Sequence, residues 1–188
     1  MKNIIIQNKK FELFIPSEAI EKEVDRISVE MNRDLDGQLP IFLSLLNGSF
    51  MFTADLVKRF ESHCHVSFVK MASYQGSQST GNVQQLIGLN DDIKNRVVVI
   101  VEDIIDSGTT LFHFLKEIEK LQPKEIKVAS MFFKPKACTH KIKIDYLGME
   151  IPNDFIIGYG LDYDGFGRNL PDIYKITDYG LQITDKEL

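Results

Sequence analysis

Residues 96–111 read RVVVIVEDIIDSGTTL. Val97, Val98, Val99, Ile100 and Val101 are five β-branched residues in a row. Such a run fits a strand covered on both faces, the situation of a parallel sheet. Glu102 and Asp103 follow, then two isoleucines, then a third carboxylate, Asp106. Ser107, Gly108, Thr109 and Thr110 come next, and helical spacing begins at Leu111. The stretch therefore reads as strand, acidic turn, small-residue loop and helix N-terminus. A helix start among Gly, Ser and Thr offers unpaired N–H groups and a positive dipole end, which suit a phosphate. Carboxylates beside a phosphate repel it unless they hold a cation or hydroxyl groups. The combination points to a substrate with a phosphate and free hydroxyls, and to a magnesium ion.

The rest of the chain bounds this reading. Its 188 residues suffice for one domain with a sizeable core. A net charge of −5, with no cluster of Lys and Arg, argues against nonspecific nucleic-acid binding. An acidic protein must bind an anion locally, with backbone N–H groups, a metal and a few placed cations. Cys64 and Cys138 are too few for a disulfide framework and lack metal-site spacing, so the expected setting is a reducing cytoplasm. The opening MKNIIIQNKKF has too short an apolar run for a secretory leader, and no segment reads as a membrane span.

Taken in order, two short strands are expected at Ile4–Ile6 and Phe11–Ile15, the second ending at Pro16. Ser17 can cap a helix whose face carries Ile20, Val24, Ile27 and Met31. A buried strand at Ile41–Leu46 leads into Asn47-Gly48-Ser49, and a helix with Phe52, Leu56, Val57 and Phe60 follows. A third strand includes Val66 and Phe68. SYQGSQSTG, residues 73–81, has no aliphatic side chain and reads as a mobile loop. Strands are expected again at Val83–Leu89, Ile126–Phe133, Phe155–Leu161 and Ile173–Ile176, with weak ones around Ile142–Leu147. Strands alternating with helices imply an α/β fold with a mostly parallel sheet, whose ligands bind outside the carboxyl ends of the strands. The polar segments 47–49, 73–81, 102–110, Lys134 and 162–168 all fall at those ends.

There is no GxxxxGK[ST] loop and no GxGxxG after a strand. Instead, VVVIVEDIIDSGTTL resembles the phosphoribosyl-diphosphate signature of type I phosphoribosyltransferases. LLNGSF at 45–50, the SYQGSQSTG loop, Lys134 after a strand, and DFIIGYGLDYDGFGRNLP at 154–171 extend the resemblance to the hypoxanthine-guanine phosphoribosyltransferases. It covers most of the chain. It implies one domain, 1–188, with a small hood from about 1–16 and 137–188 and a mobile lid at 73–82. It also implies magnesium-dependent transfer of 5-phosphoribosyl from its diphosphate to N9 of hypoxanthine or guanine, and assembly of two or four copies. Nucleic acid and membranes have no place in that activity. A xanthine-preferring enzyme and a non-catalytic nucleotide-sensing regulator on the same fold are the alternatives.

The resemblance assigns roles residue by residue. Alone, Glu102 and Asp103 read as a solvated strand end; within the signature they lie under the ribose hydroxyls and magnesium. Asp106 could simply cap a helix; the resemblance makes it the group facing purine N7, as general base. Ser107, Gly108, Thr109 and Thr110 would hold the 5′-phosphate. Lys134, otherwise a plain surface lysine, would donate to the purine 6-oxygen and so select oxo over amino purines. Phe155, otherwise a core aromatic, would stack on the base, with Ile156 offering backbone contacts. Asp162 matches an acid linked to a second magnesium or to the exocyclic group of guanine. Arg168 matches a pyrophosphate-holding arginine. Asn47 and Gly48 match the pyrophosphate loop, where the family often has a non-proline cis peptide. Asn47 stands where some members carry Lys or Arg. Ser73 and Tyr74 begin the lid. His63 and His65 have no third ligand nearby and read as structural or solvent-facing rather than as zinc ligands, and His113 and His140 give no signal.

Overall fold

The computed structural model describes residues 3–72, 85–87, 89 and 91–178. Among them the chain runs β1 (Asn3–Ile6), β2 (Lys9–Ile15), α1 (Ser17–Asp34), β3 (Ile41–Leu45), α2 (Phe50–Arg59), β4 (His65–Ala72), β5 (Gln85–Ile87), β6 (Val97–Ile105), α3 (Thr109–Lys120), β7 (Glu125–Phe133), β8 (Tyr146–Glu150), β9 (Ile156–Ile157) and β10 (Ile173–Asp178). The main sheet has the order β5-β4-β3-β6-β7-β8. Its neighbours pair in parallel except β5, which runs against β4. This is the expected α/β architecture, with β6 near the middle.

The β-branched run explains that position. Val97, Val99 and Val101 pack in one core with Ile20, Val24, Ile27 and Met31 of α1 and Phe52 and Leu56 of α2. Val98 and Ile100 pack in a second core with Leu111, Phe114 and Ile118 of α3. Alternate side chains of a strand point to opposite faces, so a strand covered on both sides must be apolar at every position. The helices on the two faces bury β6 completely over Val97–Val101.

The second, smaller sheet is antiparallel, in the order β1-β2-β10-β9. It joins the N-terminal strands to the last part of the described chain and carries its own cluster of Phe11, Ile157 and Tyr174. The hood expected from about residue 137 is less extensive at that end, because β8 at 146–150 pairs in parallel with β7 and belongs to the main sheet.

Three further expectations need correction. The acidic turn is strand: Glu102, Ile104 and Ile105 stay in register with Ser130, Phe132 and Phe133 of β7. The strand expected at 155–161 is only Ile156–Ile157, because Gly158, Tyr159 and Gly160 all take positive φ and turn the chain. Ser17 is not the cap of α1. Pro16 holds that place, and the Ser17 N–H donates to Asp172 Oδ1 at 2.9 Å. The expected lid at 73–82, with Ser73 and Tyr74, lies outside the described residues.

Candidate active site

The carboxyl ends of β3, β6 and β7 bring the site together. β6 ends at Ile105, and Asp106 and Ser107 lead through Gly108, which takes φ +75°, into α3. The loop is braced from behind: the Thr139 N–H donates to the Ser107 carbonyl at 3.0 Å, and the Phe112 N–H donates to the Gly108 carbonyl at 2.9 Å. Ser107, Thr109 and Thr110 remain exposed at the helix start, as an anion site requires.

Lys134 follows β7, and its N–H donates to the Ile105 carbonyl at 2.9 Å. Its side chain runs inward, leaving the residue only 6% exposed. The ammonium donates to Asp106 Oδ2 at 2.8 Å, while the Asp106 side chain stays 52% exposed. Two residues 28 positions apart thus form one donor–acceptor pair, with the acid open to an incoming ligand.

A second junction forms at Gly48. The Leu46–Asn47 peptide before it is cis. A Cβ on Gly48 would lie 1.4 Å from Asp103 Oδ2, and a Cβ on Gly160 would lie 1.9 Å from the Gly48 carbonyl oxygen. Only hydrogen fits at the Gly160 contact, so the turn at 158–168 packs backbone to backbone on the loop at 46–49, while Gly48 itself lies against the Asp103 carboxylate at the end of β6. The last loop carries Arg168, which donates from Nη1 to the Gly160 carbonyl at 2.7 Å and pairs through Nη2 with Asp162 Oδ1 at 2.6 Å. The other Asp162 oxygen accepts from the Gly165 N–H at 2.7 Å. Asp162 is thereby the holder of the arginine. Phe155 lies on the small-sheet side, 39% exposed, edge-on to Tyr163 with centroids 5.9 Å apart. Ile156 is buried, and its backbone pairs with Lys175.

Residues 15–164 match the model of the phosphoribosyl transferase domain. The chain belongs to the phosphoribosyltransferase family. The hypoxanthine-guanine phosphoribosyltransferase of Aquifex aeolicus is 33% identical over 175 residues, covering 92% of this chain and 98% of that one. The enzyme of the same description from Lactococcus lactis is 35% identical over 160 residues, covering 85% of this chain and 87% of that one. Among solved structures, a hypoxanthine-guanine phosphoribosyltransferase from Bacillus anthracis superposes with a TM-score of 0.79 at 29% identity, covering 89% of this chain and 97% of that one.

In this phosphoribosyltransferase two adjacent acids of β6 are half-buried. Burial pushes the Asp103 carboxyl up to about 6, against the pull of backbone N–H groups and of Arg168. Burial, and then the neighbouring Asp103 carboxylate, raises Glu102 well above the ordinary carboxylate range. Two carboxylates that resist ionising together gain from a divalent ion. Among the described residues no three His, Cys, Asp or Glu side chains converge on one point. The adjacent carboxylates of Glu102 and Asp103 would suit magnesium, which takes one or two carboxylates and leaves its remaining positions to water and substrate phosphates.

Several supporting residues gave little sequence signal. Ser44, in the middle of the buried β3, shares a 2.7 Å hydrogen bond with Ser49 and accepts one from Thr53 Oγ1 at 2.7 Å. The Ser49 hydroxyl is also in contact with the Leu45 carbonyl, so the loop after β3 is tied to α2 by buried hydroxyls. The Tyr159 hydroxyl donates to Asp55 Oδ2 at 2.7 Å and anchors the turn before Arg168 to the same helix. The lone polar residue in IFLSL was the available clue to the first network. The partners of the second are 104 positions apart. His65 Nδ1 lies 3.4 Å from Arg96 Nη1.

Proposed function

We propose that this phosphoribosyltransferase serves purine salvage, transferring 5-phosphoribosyl from phosphoribosyl diphosphate to N9 of hypoxanthine, with guanine as a second acceptor. In the reaction the bond between ribose C1 and the pyrophosphate oxygen breaks and the bond between C1 and N9 forms. The products are the nucleoside monophosphate and pyrophosphate. The observation that carries the base preference is the 2.8 Å pair between Lys134 Nζ and Asp106 Oδ2 beside the loop. One group donates and the other accepts, matching the 6-oxygen and the N7 proton on one edge of a 6-oxopurine. An amino group at position 6 would leave the lysine facing another donor.

The other parts divide the substrate between them. The N–H groups and hydroxyls from Ser107 to Thr110 would hold the 5′-phosphate at the start of α3. Glu102 and Asp103 would hold magnesium, which when bound neutralises charge on the leaving pyrophosphate. Arg168 and the backbone after the cis Leu46–Asn47 peptide would hold the pyrophosphate itself. The geometry supports Asp162 as positioner of Arg168 ahead of the expected metal role. Phe155 would stack on the base. As part of the same proposal the protein works in the cytoplasm as a homo-oligomer. Exposed Leu46, Phe50, Val66 and Phe68, on and around β4 and α2, support the assembly. No helix among the described residues is long and apolar enough to cross a membrane.

Purified protein with magnesium, phosphoribosyl diphosphate and each purine in turn tests this by absorbance. Turnover with hypoxanthine and guanine is expected. Turnover confined to xanthine would move the specificity, turnover with adenine alone would overturn the role of Lys134, and no turnover with any base would favour the regulator.

A further inference from the structure

His140 lies in the irregular segment between β7 and β8 and is not among the residues that the family resemblance selects. Its ring stacks on Phe112 of α3, with centroids 4.4 Å apart and planes 15° from parallel. Lys116 sits over the same Phe112 ring, 4.2 Å from its centroid. The stack fixes the imidazole and brings Nε2 to 3.3 Å from Thr109 Oγ1. Thr109 Oγ1 also accepts from the Ser107 hydroxyl at 3.2 Å, while the Thr109 N–H donates to Ser107 Oγ at 3.3 Å. The backbone of the segment is held as well: Cys138 Sγ donates to the His140 carbonyl at 3.2 Å, and Thr139 bonds to Ser107.

A hydroxyl has two lone pairs and one hydrogen. If Ser107 O–H takes one lone pair of Thr109 and an Nε2–H of His140 takes the other, the Thr109 hydrogen is free to point at an anion. We infer that His140 is a positioning residue for the 5′-phosphate, acting through Thr109: it holds the threonine hydroxyl as a donor towards the phosphate of substrate and product nucleotide. This rests on the reading of Ser107–Thr110 as the phosphate loop. The contact is supplied by a residue 31 positions after Thr109, outside the phosphate signature.

Titration calorimetry with inosine 5′-monophosphate and with inosine tests it. His140→Phe keeps an aromatic ring against Phe112 and removes the donor. It is expected to weaken binding of the monophosphate about 5- to 10-fold, the worth of one ordinary hydrogen bond, and to leave inosine unchanged. Thr109→Val should show the same loss, and the double variant no more than either single one. His140→Gln, whose amide nitrogen replaces Nε2, should stay within about 2-fold of the wild type, and this variant carries the test if His140→Phe does not fold. Unchanged monophosphate affinity in His140→Phe, equal loss for monophosphate and inosine, or additive losses in the double variant would each overturn the role. A wild-type protein that binds the monophosphate no better than inosine would instead overturn the reading of the loop.

Discussion

The half of the site proposed for the phosphoribosyl group and its metal comes from one continuous stretch, Glu102–Thr110, whereas the half proposed for the base and the pyrophosphate is assembled from Lys134, Phe155 and the turn from Gly158 to Arg168. In the first, the donor half, chain order does the positioning. A strand buried on both faces fixes Glu102 and Asp103, and the start of α3 fixes the phosphate loop. In the second, the base half, packing does it. Gly160 lies against the Gly48 carbonyl, Tyr159 reaches Asp55, and Asp162 holds Arg168. The two halves meet at the Lys134–Asp106 pair and at the contact between Gly48 and Asp103. A local device should tolerate change elsewhere, while an assembled one should fail when any contact is crowded.

The largest expected effect is at the first joint. Asp106→Asn keeps the shape and removes the base. Turnover should fall about 10²- to 10³-fold, while the affinity for phosphoribosyl diphosphate changes less than about 3-fold. Pre-steady-state and binding measurements separate the two, and an equal loss in both would return Asp106 to a binding role. Next is Gly160→Ala. Its Cβ would meet a backbone oxygen at 1.9 Å, at φ +96°, where a side chain is strained in any case. We expect a loss of about 2–4 kcal/mol in stability, read as a lower Tm, together with weaker pyrophosphate binding. A variant as stable as the wild type would show that the base half does not depend on this contact.

A smaller effect concerns the donor half. Asp103 has its carboxyl pushed up to about 6 by burial. In the free protein this group holds its proton above the unfolded value. Its contribution to stability is therefore full at low pH and is lost as pH rises from about 4 through about 6. Magnesium reverses the preference, because it binds the ionised form. Affinity for magnesium with the diphosphate donor should thus weaken as pH drops below about 6, by up to tenfold per pH unit, in calorimetric titrations. A flat profile between pH 5 and 7 would remove Asp103 from the metal site. The smallest effect is Tyr159→Phe. Asp55 keeps Lys58 at 2.7 Å as a partner, so the loss should be about 1 kcal/mol in denaturant unfolding, with turnover nearly unchanged.

The contrast between the halves also explains what could be read in the sequence. Val97–Val101 identifies a buried central strand because β-branching and burial act locally, and Ser107–Thr110 marks a helix start for the same reason. Glu102 and Asp103 hide the continuation of that strand, since charged residues read as a turn until the pairing with Ser130–Phe133 is visible. Residues 155–161 look like a strand from their aliphatic content, but the positive φ at Gly158, Tyr159 and Gly160 goes with packing on Asp172, Asp55 and Gly48 respectively. The Ser44–Ser49–Thr53 hydroxyls and His140 are legible only in three dimensions, because their worth lies in the partner and not in the residue type.

The central claim is that Glu102–Thr110 fixes the phosphoribosyl group of the donor while Lys134 decides between oxo and amino bases. Lys134→Gln tests it most directly, because glutamine can present a carbonyl oxygen to a 6-amino group. Calorimetry of phosphoribosyl diphosphate with magnesium, paired with hypoxanthine and adenine turnover by the same variant, gives both readings. The account predicts donor affinity within about 2-fold of the wild type and a fall of about 10²-fold in the preference for hypoxanthine over adenine. A loss of donor affinity that matches the loss of turnover, with the preference between bases unchanged, would contradict it.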